Sequence, residues 1–230
     1  MQPEIYIYIY WQIAEINHWK DIVLEQKALL VETGLFDLAK EIKISFLGKD
    51  RKNINFLLET HKKFNLYFYS NDLLLYERPS FVLMQNDAAE TNKDYNIFYF
   101  HVKGVCHKDN IFVQQWRQML QKHLITNYNE CISLLKRYDV LGCYLHDAGP
   151  DNNFYPNVFP PHKKHFAGNF FWTKASHVRT LPSLNMSHLN LSETNVRFLY
   201  ERWILYNDTN FFEVYKDPNG HRHFYHQSPS

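Results

Sequence analysis

The sequence predicts an α/β protein with a mainly parallel central sheet, and three observations carry that expectation. Short runs rich in Ile, Tyr and Phe alternate with stretches of helical periodicity through the first half of the chain, the pattern of repeated strand–helix–strand units. From Ile5 to Tyr10 isoleucine and tyrosine alternate strictly, which gives a strand with one aliphatic and one aromatic face, as in a sheet covered on both sides. No Gly/Ser linker, charge block, low-complexity tract or internal repeat divides the 230 residues. Residues 1–230 therefore read as a single domain with one substantial core.

The elements follow in order. After the Ile5–Tyr10 strand, Ile16, Trp19, Ile22, Val23 and Leu30 recur at helical spacing, and Gly34 suits the position just past a helix end. Ile42–Leu47 reads as a strand, Ile54–His61 as a short helix and Leu66–Tyr69 as a third strand. Pro79 precedes a helical stretch around Phe81–Ala88, and Ile97–Phe100 is a fourth strand running into His101-Val-Lys-Gly104. Asn110 can cap a long helical region from Ile111 to about Tyr138, interrupted near Thr126–Asn129. Val140–Leu145 is strand-like, and Asp147–Lys164 is a loop holding Pro150, Pro156, Pro160 and Pro161. An aromatic block follows, then a helix from about Ser192, a strand at Phe211–Tyr215 and a turn at Asp217–Gly220.

Bulk composition excludes several classes. A formal charge of +1 argues neither for nucleic acid nor for an anionic membrane. Cys106, Cys131 and Cys143 are odd in number and widely spaced, without Cys-x-x-Cys, which speaks against a disulfide framework or a zinc site and for a reducing compartment. No charged-then-apolar leader opens the sequence, and no run approaches the roughly 20 apolar residues of a membrane span. A soluble, cytoplasmic protein without a transmembrane segment is the expectation. The 17% aromatic content suits ring stacking as well as dense packing.

In open parallel sheets ligands bind beyond the carboxyl ends of the strands, and three polar clusters fall at such ends: Ser70-Asn-Asp72, His101-Val-Lys-Gly104 and His146-Asp147. A lysine beside a glycine turn could neutralise a diphosphate, with His101 hydrogen-bonding a phosphate or hydroxyl. An ordinary strand exit with a solvated lysine fits the same residues. In His165-Phe-Ala-Gly-Asn-Phe-Phe-Trp172 a glycine and an asparagine sit among flat apolar rings. That mixture suits a sugar, whose apolar C–H faces are ringed by hydroxyls, and equally a core strand ending in a turn.

An ordered set of motifs resembles a known family. Glu77-Arg-Pro-Ser80, Tyr99-Phe-His-Val-Lys-Gly104, Trp116-Arg117, Tyr138-Asp139 with Gly142, the 165–172 block, the Ser176–Pro182 tail and Glu201-Arg-Trp203 occur in sequence over residues 70–205. They resemble the corresponding elements of small GT-A-like glycosyltransferases of large DNA viruses and bacterial surface-polysaccharide clusters. Val102, Phe171, Arg78 and Ser80 depart from that pattern without deleting a charged group. The resemblance implies a GT-A-like, Rossmann-like fold and transfer of a sugar from a nucleotide diphosphate sugar to a hydroxyl of a glycan or glycosylated protein. It places the nucleotide at the first strand and Ser70–Asp72, and the donor diphosphate and sugar at His101, Lys103, Gly104, His165, Gly168 and Asn169. Phe170, Phe171, Trp172 and Trp203 would face the acceptor, under a lid formed by Asp147–Lys164.

The same resemblance implies a divalent cation, Mn²⁺ or Mg²⁺, usually held by an Asp-x-Asp pair. No Asp-x-Asp occurs in this sequence, so a cation would need dispersed carboxylates such as Asp72 and Asp147, or Lys103 would take its place. His221, His223 and His226 fit no strong metal template. Glu201 and Asp147 lead the carboxylates that could act as the base deprotonating the acceptor hydroxyl, with Glu193 and Asp139 as further competitors. A salt bridge from Glu201 to Arg197 and a histidine base remain open. The rival function is a non-catalytic glycan-binding or interaction protein on the same fold. A methyltransferase-like enzyme fits less well, because Trp11-Gln-Ile-Ala-Glu follows the first strand where a glycine-rich loop would stand.

Overall fold

The alternating strand at the start of the chain becomes β1, Ile7–Ala14, the centre of the parallel part of the sheet. The computed structural model describes residues 6–107, 109–147, 164–184, 200–206 and 209–216. Ile7, Ile9, Trp11 and Ile13 point into one core layer, and Tyr10 into the other, so the two-faced pattern of the sequence is realised. The chain then runs through α1 (Trp19–Glu32), α2 (Leu35–Leu38), β2 (Ala39–Leu47), α3 (Asn55–Leu58), β3 (Phe64–Ser70), α4 (Arg78–Ala89) and β4 (Asn96–His101). α1 covers the aliphatic face through Trp19, Ile22, Val23 and Leu30, and α4 covers the other through Phe81, Met84 and Ala88. Pro79 sits within the first turn of α4, where its missing N–H costs nothing.

The second half adds α5 (Ile111–Gln121), α6 (Tyr128–Leu134), β5 (Val140–Cys143), β6 (Leu145–Asp147), β7 (Lys164–Phe166), β8 (Phe171–Lys174), α7 (Ala175–Val178) and β9 (Phe211–Tyr215). Seven strands share one sheet in the order β3-β2-β1-β4-β8-β5-β9. Pairing is parallel except at β8, which runs antiparallel to both β4 and β5. The expected mainly parallel α/β architecture is the one observed.

Three local expectations change. The strand foreseen at Val140–Leu145 breaks at Tyr144, whose φ is 56°. The chain there leaves the main sheet, and β6 pairs with β7 in a separate ribbon. The helix foreseen at Ile54–His61 is only α3, preceded by a 3₁₀ turn at Arg51–Ile54. The long helical region is interrupted earlier than expected, by a π-helical turn at Lys122–Thr126. Trp172 enters beside that turn and its indole N–H donates to the Leu124 carbonyl at 2.7 Å. A side chain bonded into the backbone ladder is an ordinary cause of such a break. Most of the proline-rich loop, the helix foreseen from Ser192 up to residue 199, the Asp217–Gly220 turn and the C-terminal histidines lie outside the described residues. Among the described residues no helix is long and apolar enough to cross a membrane.

Candidate functional site

β1 is the point where the sheet changes direction: β2 lies on one side of it and β4 on the other. Connections leaving the carboxyl ends of β1 and β4 therefore diverge, and a crevice is left between them. A cavity of about 390 Å³ occupies that crevice, within the size range of small-molecule sites. Its wall includes Gln12 and Ala14 from the end of β1, Leu73, Tyr76 and Glu77 from the segment leading into α4, and the whole run His101–His107. Asn110, Val113 and Trp116 close it from α5.

The His101–Gly104 turn is held from beneath by several contacts. Trp11 donates its indole N–H to Gln26 Oε1 at 3.0 Å, and Gln26 Nε2 donates to the His101 carbonyl at 2.9 Å. The Lys103 carbonyl accepts from Arg117 Nη1 at 3.1 Å, while the rest of that guanidinium forks onto Glu25 at 3.1 and 2.9 Å. Gly104 has φ of 85°, and a Cβ there would come within 2.7 Å of Val113 Cγ1, so the turn needs glycine for both conformation and space. The Lys103 ammonium lies 4.0 Å from the centre of the Trp116 ring, a cation–π distance. Asn110 caps α5 by accepting from the Phe112 and Val113 amides at 3.0 and 3.2 Å. The N-terminus of this 11-residue helix thus borders the cavity beside Lys103, and with two of its amides spent on Asn110 it offers an anion its dipole rather than those N–H groups.

A second cluster adjoins the first. His165 Nε2 is 4.0 Å from Glu201 Oε2. The β6–β7 register sets His146 opposite His165 and Asp147 opposite Lys164, with the two imidazole rings 5.0 Å apart. Tyr99, which follows Phe98 on β4, is fully buried. Burial first, then the Glu77 and Glu201 carboxylates, push its phenol well above the usual range. Glu77 of the cavity wall and Glu201 of the second cluster, far apart in sequence, thus both act on one buried phenol.

Several predicted site residues stand elsewhere. His101, Lys103 and Gly104 line the cavity, as the sequence suggested. Ser70 and Asp72 do not: they form an exposed turn past the edge strand β3, where Ser70 Oγ accepts from the Asp72 amide and Asp72 caps Leu74 at 2.9 Å. Their place on the wall is taken by Leu73, Tyr76 and Glu77. Gly168 and Asn169 lie behind the wall rather than on it. Gly168 has φ of 94°, and a Cβ there would meet Leu120 Cδ1 at 2.6 Å and Trp116 Nε1 at 3.3 Å. Phe170, Phe171, Trp172 and Trp203 are fully buried and present no face to an acceptor. They pack against Phe98, Phe100, Tyr99 and Phe81 as core rings. The continuous aromatic run Phe170–Trp172 that suggested sugar stacking is the mark of a strand buried on both faces. The sequence offered Glu77 and Trp116 only as elements of the resemblance and gave Gln12 no role, although a lone glutamine within an otherwise apolar strand was a visible signal.

A divalent cation needs several oxygen ligands. The described wall of the cavity offers one carboxylate, Glu77, and Asp72 is engaged in its turn. Among the described residues no group of three or more His, Cys, Asp or Glu side chains could hold a metal ion. The described residues do not fit such an ion, and no step is derived through one.

Fold and cavity together define an α/β protein with an anion-favouring site at the switch point of a mostly parallel sheet. No family model matches the chain, and no curated protein matches it in sequence. Fifty-seven chains of solved structures match it in fold. Among them is 4-diphosphocytidyl-2C-methyl-D-erythritol synthase from Anaerococcus prevotii, at 9% identity over 94% of this chain and 91% of that one, with a TM-score of 0.49. Another is HddC from Yersinia pseudotuberculosis, at 11% identity over 80% of this chain and 86% of that one, with a TM-score of 0.41. Likeness at this level identifies neither a substrate nor a reaction.

Proposed function

We propose that the protein is a nucleotide-sugar-dependent glycosyltransferase that binds a nucleotide diphosphate sugar in the switch-point cavity. The observation that carries this reading is the convergence of Lys103, the Gly104 turn and the α5 N-terminus on one cavity. The ordered motif resemblance over residues 70–205 supports the sugar-transfer chemistry. Lys103 and the helix end stabilise the diphosphate as it leaves, when its charge is greatest. The acceptor hydroxyl must then lose its proton to a group at hydrogen-bond distance. Glu201 and Asp147 are the two candidates. His165, beside Glu201, orients that carboxylate or passes its proton on. Because the aromatic block is core, the acceptor is held by other residues than Phe170, Phe171, Trp172 and Trp203.

The test is release of free nucleoside diphosphate from a panel of nucleotide sugars incubated with the protein and mixed glycan acceptors, read by mass spectrometry. Acceptor-dependent release from one donor supports transfer. Tight binding of a nucleotide sugar without any release favours the non-catalytic reading. Failure to bind any nucleoside diphosphate or nucleotide sugar overturns both the donor assignment and the enzyme.

A further inference from the structure

We propose that Gln12 reads the ligand, donating from its side-chain amide to an oxygen acceptor on the neutral part of the nucleotide. The inference rests on the nucleotide reading of the cavity. Gln12 stands at the end of β1, opposite His101 in the sheet register, and lines the cavity while only 4% exposed. Its two amide atoms are used unequally. Oε1 accepts from the buried Ser80 hydroxyl of α4 at 2.9 Å. Nε2 is buried and has no acceptor among the described residues. Gln26, a second buried glutamine close by, shows the contrast: it accepts from Trp11 and donates to the His101 carbonyl, so both its ends are spent within the protein.

A buried amide N–H without an acceptor is desolvated and uncompensated, and native structures rarely keep one without a reason. Trp11 and Ile13 point into the other core layer, while Gln12 lies between Ser45 of β2 and His101 of β4 in the sheet register and against Ser80, a polar spot in an otherwise apolar strand. A glutamine there supplies a donor: with the Ser80 hydroxyl donating to Oε1, the amide N–H is the end left over. Lys103 and the α5 N-terminus take the charged part of the ligand, which leaves the base and the ribose for Gln12. Both carry oxygen acceptors: an exocyclic carbonyl on the base, or ribose oxygens.

Calorimetric titration with UDP against CDP, and with inosine diphosphate against ADP, separates the two sources, because each pair exchanges a base carbonyl for an amine at one position. The variants are Gln12→Met, which keeps length and loses the donor, and Gln12→Glu, which keeps an oxygen for Ser80 and turns the donor into an acceptor. Ser80→Ala, which leaves Gln12 in place with its amide unanchored, serves if either variant fails to fold, as judged by thermal unfolding. If Gln12 reads a base carbonyl, the wild type favours the carbonyl member of a pair at least tenfold. Gln12→Met then removes that preference, Gln12→Glu reverses it, and Ser80→Ala weakens it. If Gln12 binds ribose, the folded variants bind both members of both pairs at least tenfold more weakly, whereas an equal loss for UDP and CDP with none for inosine diphosphate and ADP assigns the C2 carbonyl that the pyrimidines share. Unchanged affinities in the folded variants, with wild-type binding intact, overturn the proposal and leave the nucleotide reading standing. A wild-type protein that binds no nucleoside diphosphate overturns both.

Discussion

Gly104→Ala tests whether the turn that presents Lys103 is built as described. The native φ of 85° is open to glycine but costs an alanine about 1–2 kcal/mol. The new Cβ would also fall 2.7 Å from Val113 Cγ1 and 3.4 Å from Arg117 Nη1. Val113 is β-branched and buried on α5, so it cannot rotate away freely, and overpacking of this kind adds about 1–3 kcal/mol. Together the two effects give a loss of about 2–5 kcal/mol, which lowers Tm by about 4–20 °C in a chain of this length. The Lys103 carbonyl, pulled from Arg117, carries its side chain with it, so nucleoside diphosphate affinity should fall along with stability. Thermal unfolding and calorimetric titration read the two effects separately. Val113→Ala added to Gly104→Ala removes the collision and leaves the backbone cost, so the pair should be about 1–3 kcal/mol less destabilised than the sum of the single variants. A Gly104→Ala protein within about 0.5 kcal/mol of wild type, the range of a neutral surface change, would refute this account of the turn.

Three further outcomes are expected. Lys103→Ala should weaken nucleoside diphosphate binding at least tenfold, a charge-assisted contact being worth about 1.5–3 kcal/mol, and leave nucleoside binding nearly unchanged; equal losses for both ligands would take Lys103 off the phosphates. Glu201→Gln should keep donor affinity and lower transfer about 10²–10⁴-fold, with Asp147→Asn as the comparison. Full activity in the first and none in the second moves the base to Asp147, and activity in both leaves a histidine such as His146 or His165. His177 is buried with its Nε2 2.9 Å from the Ile204 carbonyl, and burial holds its pKa below the ordinary 6.5. The unfolded chain therefore takes up a proton that the folded ring refuses, so stability should fall as pH drops below about 6.5. His177→Gln should flatten that part of a Tm-against-pH curve, and identical slopes would assign the acid sensitivity elsewhere.

The parallel half of the fold was legible because its signals are local. Alternation at Ile5–Tyr10 set the faces of β1, Gly34 ended α1, and Asn110 capped α5. The position of β8 was not legible, since nothing in Phe171–Lys174 says which neighbours it takes or in which direction it runs. Of the site, His101-Val-Lys-Gly104 could be read because a glycine after a strand end is a local mark. The aromatic block misled, because rings that stack on sugars and rings that fill a core share one composition. Ser70 and Asp72 misled for another reason. They do follow a strand end, but β3 is the edge of the sheet, two strands away from the switch point.

The late arrival of β8 has a consequence for synthesis. β5 has β8 and β9 as its sheet neighbours, and both are encoded after it. When Val140–Cys143 leaves the ribosome it has no strand to join until Phe171–Lys174 follows, roughly 30 residues later, which at about 5–20 residues per second is a delay of a few seconds. Through that interval β4, a strand of buried Ile97, Phe98, Tyr99 and Phe100, presents an open apolar edge to every neighbouring nascent chain. Synonymous codons that slow translation between residues 144 and 170 should lengthen the exposure and raise the aggregated fraction without altering a single residue of the finished protein.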